Sequence, residues 1–208
     1  VSRFIALLVF FWLLYQVMEY RVQVSYYFTI SKEYVGKILK IGLPSAFEQI
    51  LYQGCQIVFL YYATYLGAEA LAARQYAVNI SMFTYLFAMA IGSGTAILVG
   101  RYVGAGEKDL AYKTVWFSVK SALIFTLVMV ALVITFRVPL MSLFTNNENI
   151  IAIGASALIF SIFLETGRTI NITIINSLRA AGDATYPVRI GLVSMIGIGL
   201  SLGYLFVF

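Results

Sequence analysis

Long apolar segments separated by short polar ones dominate the pattern of this chain. A transmembrane helix needs about 20 mostly apolar residues, and the pattern predicts six such segments. They cover residues 4–18, 41–66, 71–102, 113–136, 150–178 and 188–208. The sequence therefore predicts an all-α polytopic membrane protein with about six transmembrane helices.

Two of these segments carry local signals. Pro44 lies near the start of the second segment, where proline fits a first helical turn. Gly92, Gly94 and Gly100 interrupt the third segment, which predicts a bend or close contact with a neighbouring helix. Between the first two segments, residues 19–40 form a polar, partly amphipathic connector.

Composition agrees with this picture. The chain is 62% hydrophobic and only 11% charged, whereas soluble domains contain about 25% charged residues. The absence of histidine and a single cysteine, Cys55, exclude disulfide frameworks, His/Cys zinc sites and Cys–His catalysis. The net charge of +5 reflects basic loops rather than a nucleic-acid surface, because no basic cluster with interleaved aromatic residues is present.

Basic residues are distributed unevenly between alternate loops, which predicts the orientation in the membrane. One side carries Arg21, Lys32, Lys37, Lys40, Arg101, Lys108, Lys113, Arg179 and Arg189, whereas the other carries Arg3, Arg74 and Arg137. We therefore expect the connector 19–40 and the loops at 104–109 and 180–187 to be cytoplasmic.

Three ionisable residues, Glu48, Glu165 and Arg168, lie inside the apolar segments. A charged side chain in the hydrocarbon core costs from about 2.5 to about 10 kcal/mol or more. Such residues are retained mainly where they face a water-filled cavity or pair with one another. We therefore expect the functional site around these three residues.

Polar side chains also recur on one face of three predicted helices. Glu48, Tyr52 and Gln56 follow one another at four-residue spacing, which places them on one helix face. Polar faces of neighbouring helices converge around an aqueous cavity. We expect the cavity to be lined by Gln49, Gln53, Gln56, Gln75, Asn79 and Asn176, and the ion or substrate to be bound by Glu48, Tyr52, Glu165, Arg168 and Asn171.

Structural roles are the alternative for several of these residues. Amides often form interhelical hydrogen bonds in membranes, worth about 0.6 kcal/mol on average. Glu165 and Arg168 are three residues apart and can pair within one helix. Glu48 has no opposite charge in its own apolar segment. We hypothesise that Glu48 meets Arg168 across the cavity, directly or through water or substrate, with proton coupling and attraction of a cationic substrate both open.

Four short blocks resemble MATE transporters, the multidrug and toxic compound extrusion family. The blocks are Ile-Gly-Leu-Pro at 41–44, Leu-Gly-Ala-Glu-Ala-Leu-Ala-Ala at 66–73, Val-Gly-Arg-Tyr-Val-Gly-Ala-Gly at 99–106, and Leu-Arg-Ala-Ala-Gly-Asp at 178–183 followed by Pro187. Each block alone is weak, but the four occur in the family's order at helix-length intervals.

The resemblance implies a fold of twelve helices in two six-helix lobes around a central cleft. Residues 1–18 would then be the last helix of the N-terminal lobe, 19–40 the cytoplasmic link between lobes, and 41–208 five of the six helices of the C-terminal lobe. Because both ends of the chain are apolar, we expect it to be a fragment covering roughly helices six to eleven.

The functional residues of the family transfer only in part. In NorM-type members one coupling carboxylate aligns with Tyr52 and another with Arg168, so neither acid is present here. Glu48 lies one turn before Tyr52 on the same face and is our candidate for that role. Glu165, Arg168 and Asn171 together resemble a different bacterial branch, so the NorM sodium site is not implied.

The resemblance implies a secondary active transporter rather than an enzyme. It would export organic, especially cationic, compounds by multidrug efflux across the plasma membrane, the inner membrane of a bacterium, in exchange for H⁺ or Na⁺ through alternating access. The implied partners are small organic substrates, membrane lipids and the N-terminal lobe of a monomeric protein, with no nucleic acid, metal or cofactor beyond the coupling ion. The alternative is a lipid or oligosaccharide flippase of the same superfamily; an intramembrane enzyme or a scaffold is remote.

Overall fold

The computed structural model describes residues 2–16 and 32–207, and every regular element in these ranges is helical. The helices are α1 (Ser2–Gln16), α2 (Lys32–Tyr65), α3 (Ala68–Gly104), α4 (Lys108–Thr135), α5 (Arg137–Ser142), α6 (Glu148–Ala180), α7 (Thr185–Leu192) and α8 (Ser201–Val207), with a π-helical stretch, Val193–Leu200, joining the last two.

The chain divides into two compact units, residues 1–40 and 41–208. In the first unit, α1 is apolar and its described side chains are exposed. Residues 17–31, which comprise the end of the first predicted helix and most of the predicted connector 19–40, lie outside the described residues. From Lys32 the chain is already helical and continuous with the rest of α2. The assignment of residues 1–18 and 41–208 to two lobes stays a prediction.

Four helices of the described residues are long and apolar enough to cross a membrane: α3, α4, α6 and the continuous stretch Thr185–Leu205. This confirms an all-α polytopic membrane protein. The number is smaller than the six predicted. Only the short apolar stretch Arg3–Leu13 is found in α1, and α2, although 34 residues long, carries Glu48 and several glutamines along its length.

The core of the second unit is formed by α3, α4 and α6, which pack against one another. Their buried positions are mostly small, such as Ala73 and Ala88 on α3 and Ala122 on α4. Small side chains let helix backbones approach closely in membranes. Between α4 and α6, the hydroxyls of Thr126 and Thr169 share a 2.9 Å hydrogen bond in this core.

Two glycines allow close packing against α6. A Cβ atom at Gly92 of α3 would lie 3.1 Å from Cγ2 of Ile172, so the close contact predicted for the third segment is present here, within an uninterrupted helix. Gly154 of α6 faces Met141 of α5, which is fully buried. The α5 side chain thus occupies the space that any larger residue at Gly154 would need.

The end of α6 and the start of α7 are defined by local hydrogen bonds. Gly182 adopts a left-handed φ of 95° and its amide donates to the carbonyl of Arg179 at 3.0 Å. The next residue, Asp183, accepts hydrogen bonds through Oδ1 from the backbone amides of Thr185 and Tyr186, at 3.2 and 3.1 Å. This pairing satisfies amide groups that the first helical turn leaves without partners.

The last helical stretch lies against α2. A Cβ atom at Gly203 would lie 3.0 Å from the ring of Phe59, and at Gly199 3.4 Å from the same ring. The rings of Tyr62 and Tyr204 approach edge to face with centroids 6.5 Å apart. These contacts hold α2 against the last helical stretch, and other residues of α2 line the cavity described next.

Candidate functional site

A cavity of about 460 Å³ lies between α2, α3 and α6. This volume falls within the range of small-molecule sites, about 300–1,000 Å³. Its lining comprises Tyr52, Gln53, Gln56, Ile57 and Leu60 of α2, Arg74, Gln75, Val78, Met82 and Tyr85 of α3, and Arg168 of α6. We call this space the polar cavity. Its polar side chains come from all three helices.

Five of the predicted residues line the polar cavity: Tyr52, Gln53, Gln56, Gln75 and Arg168. The four-residue spacing of Tyr52 and Gln56 on α2 explains why they share it. Six further lining residues were not predicted, and two of them, Arg74 and Tyr85, carry polar groups. Arg74 was counted only as a basic residue of a loop, although it shares one face of α3 with Val78, Met82 and Tyr85 at spacings of four and three residues.

Arg74 lies in the second turn of α3. Its Nη2 donates a 3.3 Å hydrogen bond to Oε1 of Gln56 on α2. Among the described residues no carboxylate lies within ion-pair distance of this guanidinium. Within the described part of the chain, Arg74 is therefore a positive charge whose hydrogen-bond partner is a neutral amide.

Arg168 approaches the polar cavity from α6. Its Nη1 lies 2.9 Å from Oε1 of Glu165, and its guanidinium lies 5.6 Å from the ring centre of Tyr85. The latter is a cation–π distance. The intrahelical pair predicted from the three-residue spacing is thus present. Oε1 of Glu165 has no hydrogen-bond partner among the described residues, so the contact is an ion pair without a hydrogen bond.

Glu165 is buried beneath this arginine. Only 1% of the residue is exposed, and it is not part of the cavity lining. The Glu165 carboxylate therefore offsets the charge of Arg168 from inside the helix packing, without presenting a negative surface to the polar cavity.

Contrary to our hypothesis, Glu48 pairs with Arg179 and not with Arg168. Its Oε2 accepts a 2.7 Å hydrogen bond from Nη2 of Arg179, near the C-terminal end of α6. Arg179 follows Arg168 by 11 residues, which is about 16 Å along a helix at 1.5 Å per residue. The position of α2 along the axis of α6 therefore brings Glu48 beside Arg179 rather than Arg168. Glu48 lies outside the lining of the polar cavity.

The other predicted residues lie beside the polar cavity or away from it. Gln75 donates a 3.5 Å hydrogen bond to Asn79, one turn further along α3. Asn176 packs at the close approach of α6 to Gly92. Gln49 and Asn171 have exposed side chains that are not part of the lining.

A second cavity, of about 320 Å³, lies between α3, α4 and α6. Its walls are apolar, with Val99, Trp116, Val119 and Leu178 among the lining residues. It offers no charged group to recognise a ligand. The polar cavity is therefore the better candidate for a binding site.

Comparison with known proteins gives a consistent assignment. The MatE family profile matches residues 44–205. The "Uncharacterized transporter YisQ" of Bacillus subtilis is 41% identical over 206 residues, which cover 99% of this chain and 45% of that protein. The "Probable multidrug resistance protein NorM" of Halalkalibacterium halodurans is 31% identical over 169 residues, which cover 81% of this chain and 37% of that protein.

A further NorM protein, from Thermotoga maritima, is 27% identical over 163 residues, which cover 76% of this chain and 34% of that protein. No solved structure matches the chain with significance. The chain spans less than half the length of these curated relatives. Because the family profile covers most of the chain, the resemblance seen in the four sequence blocks is confirmed, and this chain belongs to the MatE family, whose members are transporters rather than enzymes.

Proposed function

We propose that the full-length protein is a secondary active transporter that exports small organic compounds across the plasma membrane, and that residues 41–208 supply five of the six helices of its C-terminal lobe. The observation that carries the proposal is the polar cavity between α2, α3 and α6 in a chain of the MatE family. Amides, tyrosines and arginines surrounded by apolar helices can hold an organic molecule at membrane depth, as substrate sites of secondary transporters do.

Transport by such a protein requires a second lobe. We propose that an N-terminal lobe faces this one and that the two rock about the cleft to give alternating access. The full-length protein would act as a monomer in the membrane lipid, without nucleic acid and without a cofactor other than the coupling ion, H⁺ or Na⁺. The names of the relatives, a transporter and multidrug resistance proteins, support drug export over the flippase alternative.

Glu48 is the proposed coupling residue. It is an acid within α2 whose only ion-pair partner among the described residues is Arg179 on α6. A proton or sodium ion bound at Glu48 would compete with Arg179 for the carboxylate. Ion binding would thereby loosen α2 from α6 next to the polar cavity, which links the ion gradient to the geometry of the substrate site.

Dye transport in vesicles containing the full-length protein tests this proposal. The wild type should move ethidium or carboxyfluorescein when a pH or Na⁺ gradient is imposed, and Glu48→Gln should remove the gradient dependence. Glu33→Gln is the matched control, because Glu33 pairs with Lys37 on the same helix but is exposed. Absence of gradient-driven movement of both dyes by the wild type would overturn the proposed function. Unchanged gradient dependence in Glu48→Gln would remove only the coupling role.

A further inference from the structure

We infer that the polar cavity binds the acidic group of an amphipathic organic anion, with Arg74 as the principal partner of that group. The inference rests on the proposed function and names its substrate class. It replaces the cationic class that the sequence resemblance implies.

The balance of charge around the polar cavity is the first argument. Its lining contains two arginines, Arg74 and Arg168, and no carboxylate. Glu165 offsets Arg168 from the buried side, so the net positive charge of the lining is that of Arg74. An arginine stays protonated in proteins, and Arg74 has no acidic partner within ion-pair distance among the described residues. An anionic ligand would supply the missing counter-charge.

The contacts of the two arginines point to different parts of one ligand. Arg74 donates one of its five N–H groups to Gln56. Its other N–H groups can bind a carboxylate or sulfonate through two parallel hydrogen bonds. Arg168 is already paired with Glu165 and lies over the ring of Tyr85. The acid therefore belongs at Arg74, whereas the other end, at Arg168 and Tyr85, favours a flat aromatic group.

The spacing of these ends sets the length of the ligand. From Arg74 to Tyr85 the helix advances 11 residues, about 16 Å. The wall between them carries apolar side chains, with Ile57 and Leu60 on α2 opposite Val78 and Met82 on α3. This arrangement fits an elongated molecule with an acidic end and an apolar or aromatic body.

The described residues that line the polar cavity include no carboxylate that could bind a cationic substrate. The two acids inside the apolar segments are both paired, Glu48 with Arg179 and Glu165 with Arg168, and neither lines the polar cavity. A cation inside would meet the net positive charge of Arg74 with no carboxylate in the lining to balance it.

The test measures dye binding by the purified full-length protein in detergent, using fluorescence anisotropy. Carboxyfluorescein is the anionic probe and ethidium the cationic one. Loss of a charged hydrogen-bonding partner should weaken carboxyfluorescein binding by at least roughly tenfold in Arg74→Gln. Arg74→Lys keeps the charge and should recover part of that loss. The control is Arg137→Gln, which removes an arginine outside the polar cavity whose side chain binds the carbonyl of Ile134.

Thermal unfolding checks that each variant is folded. If Arg74→Gln is not folded, Arg74→Lys still tests the role of the guanidinium.

Three results would overturn the inference: the wild type binds ethidium more tightly than carboxyfluorescein, Arg74→Gln weakens the binding of both dyes equally, or Arg74→Gln has no effect on binding. Displacement of carboxyfluorescein by short-chain phosphatidylglycerol but not by benzenesulfonate would also overturn it, because a lipid headgroup would then be the ligand. If ethidium but not carboxyfluorescein is transported along the gradient, the proposed function stands and the anionic substrate is rejected. If carboxyfluorescein binds in an Arg74-dependent manner but neither dye is transported, the anionic ligand stands and the proposed function is rejected.

Discussion

The carboxylate of Glu48 on α2 lies 2.7 Å from the guanidinium of Arg179 on α6, although 131 residues separate them in sequence. The two side chains are 15% and 28% exposed, so water screens the pair only in part. The Nε atom of Arg179 is buried and has no hydrogen-bond partner among the described residues. Glu48 is therefore the main group that compensates this arginine, and the pair ties α2 to the α3–α4–α6 core.

Breaking this pair should loosen α2. Glu48→Gln and Arg179→Gln should each lower the free energy of unfolding by about 1–2 kcal/mol, between the values for exposed and buried pairs. The double variant should lose less than the sum of the two, because neither charge is then left alone. The thiol of Cys55, buried on α2, should react faster with maleimide in the single variants. Strict additivity of the two effects would show that the pair contributes no coupling.

A side chain at Gly154 should destabilise the contact between α5 and α6. A Cβ atom there would lie 2.0 Å from Cε and 2.8 Å from Sδ of Met141, which has no exposed surface into which to move. Gly154→Ala should lower the free energy of unfolding by about 1–3 kcal/mol through overpacking. Gly167→Ala is the control on the same helix, since nothing lies within 4 Å of its added Cβ. Thermal unfolding in detergent compares the two, and equal midpoints would contradict this account of the α5–α6 contact.

The sequence predicts contacts within a helix better than contacts between helices. The pairing of Glu165 with Arg168 follows from their three-residue spacing alone. The partner of Glu48 depends on how far α2 is shifted along α6, which no spacing within one helix determines. Arg74 was missed for the same reason. Its position near a helix end suggests a loop charge, whereas the approach of α2 and α3 brings it to Gln56 and the polar cavity.

The start of α7 should depend on pH through Asp183, which lies in the loop before it. The backbone amide of Tyr186 and the hydroxyl of Thr185, both donating to its carboxylate, hold the pKa of Asp183 below its ordinary value. A lowered folded pKa stabilises the turn above the unfolded pKa, and this stabilisation is lost as the pH falls through the folded value.

Amide hydrogen exchange at Thr185 and Tyr186, corrected for intrinsic rates, measures this effect. Asp183→Ala should speed exchange at neutral pH, and the difference from the wild type should shrink as the pH falls below about 4. Asp109→Ala is the control, because Asp109 lies in the first turn of α4 without a side-chain cap at that helix start. A difference between wild type and Asp183→Ala that is constant with pH would exclude the carboxylate charge as the cause.

Replacing Glu165 with glutamine should separate stability from binding. The substitution keeps the shape of the side chain but leaves Arg168 without its counter-charge, so the unfolding midpoint should fall. The net positive charge of the polar cavity then rises by one unit, and carboxyfluorescein should bind more tightly, while ethidium should bind no better. Thr166→Val, on the exposed side of the same helical turn, is the control for general loosening of α6. Weaker binding of both dyes in step with the lost stability would show that Glu165 acts only by holding Arg168 in place.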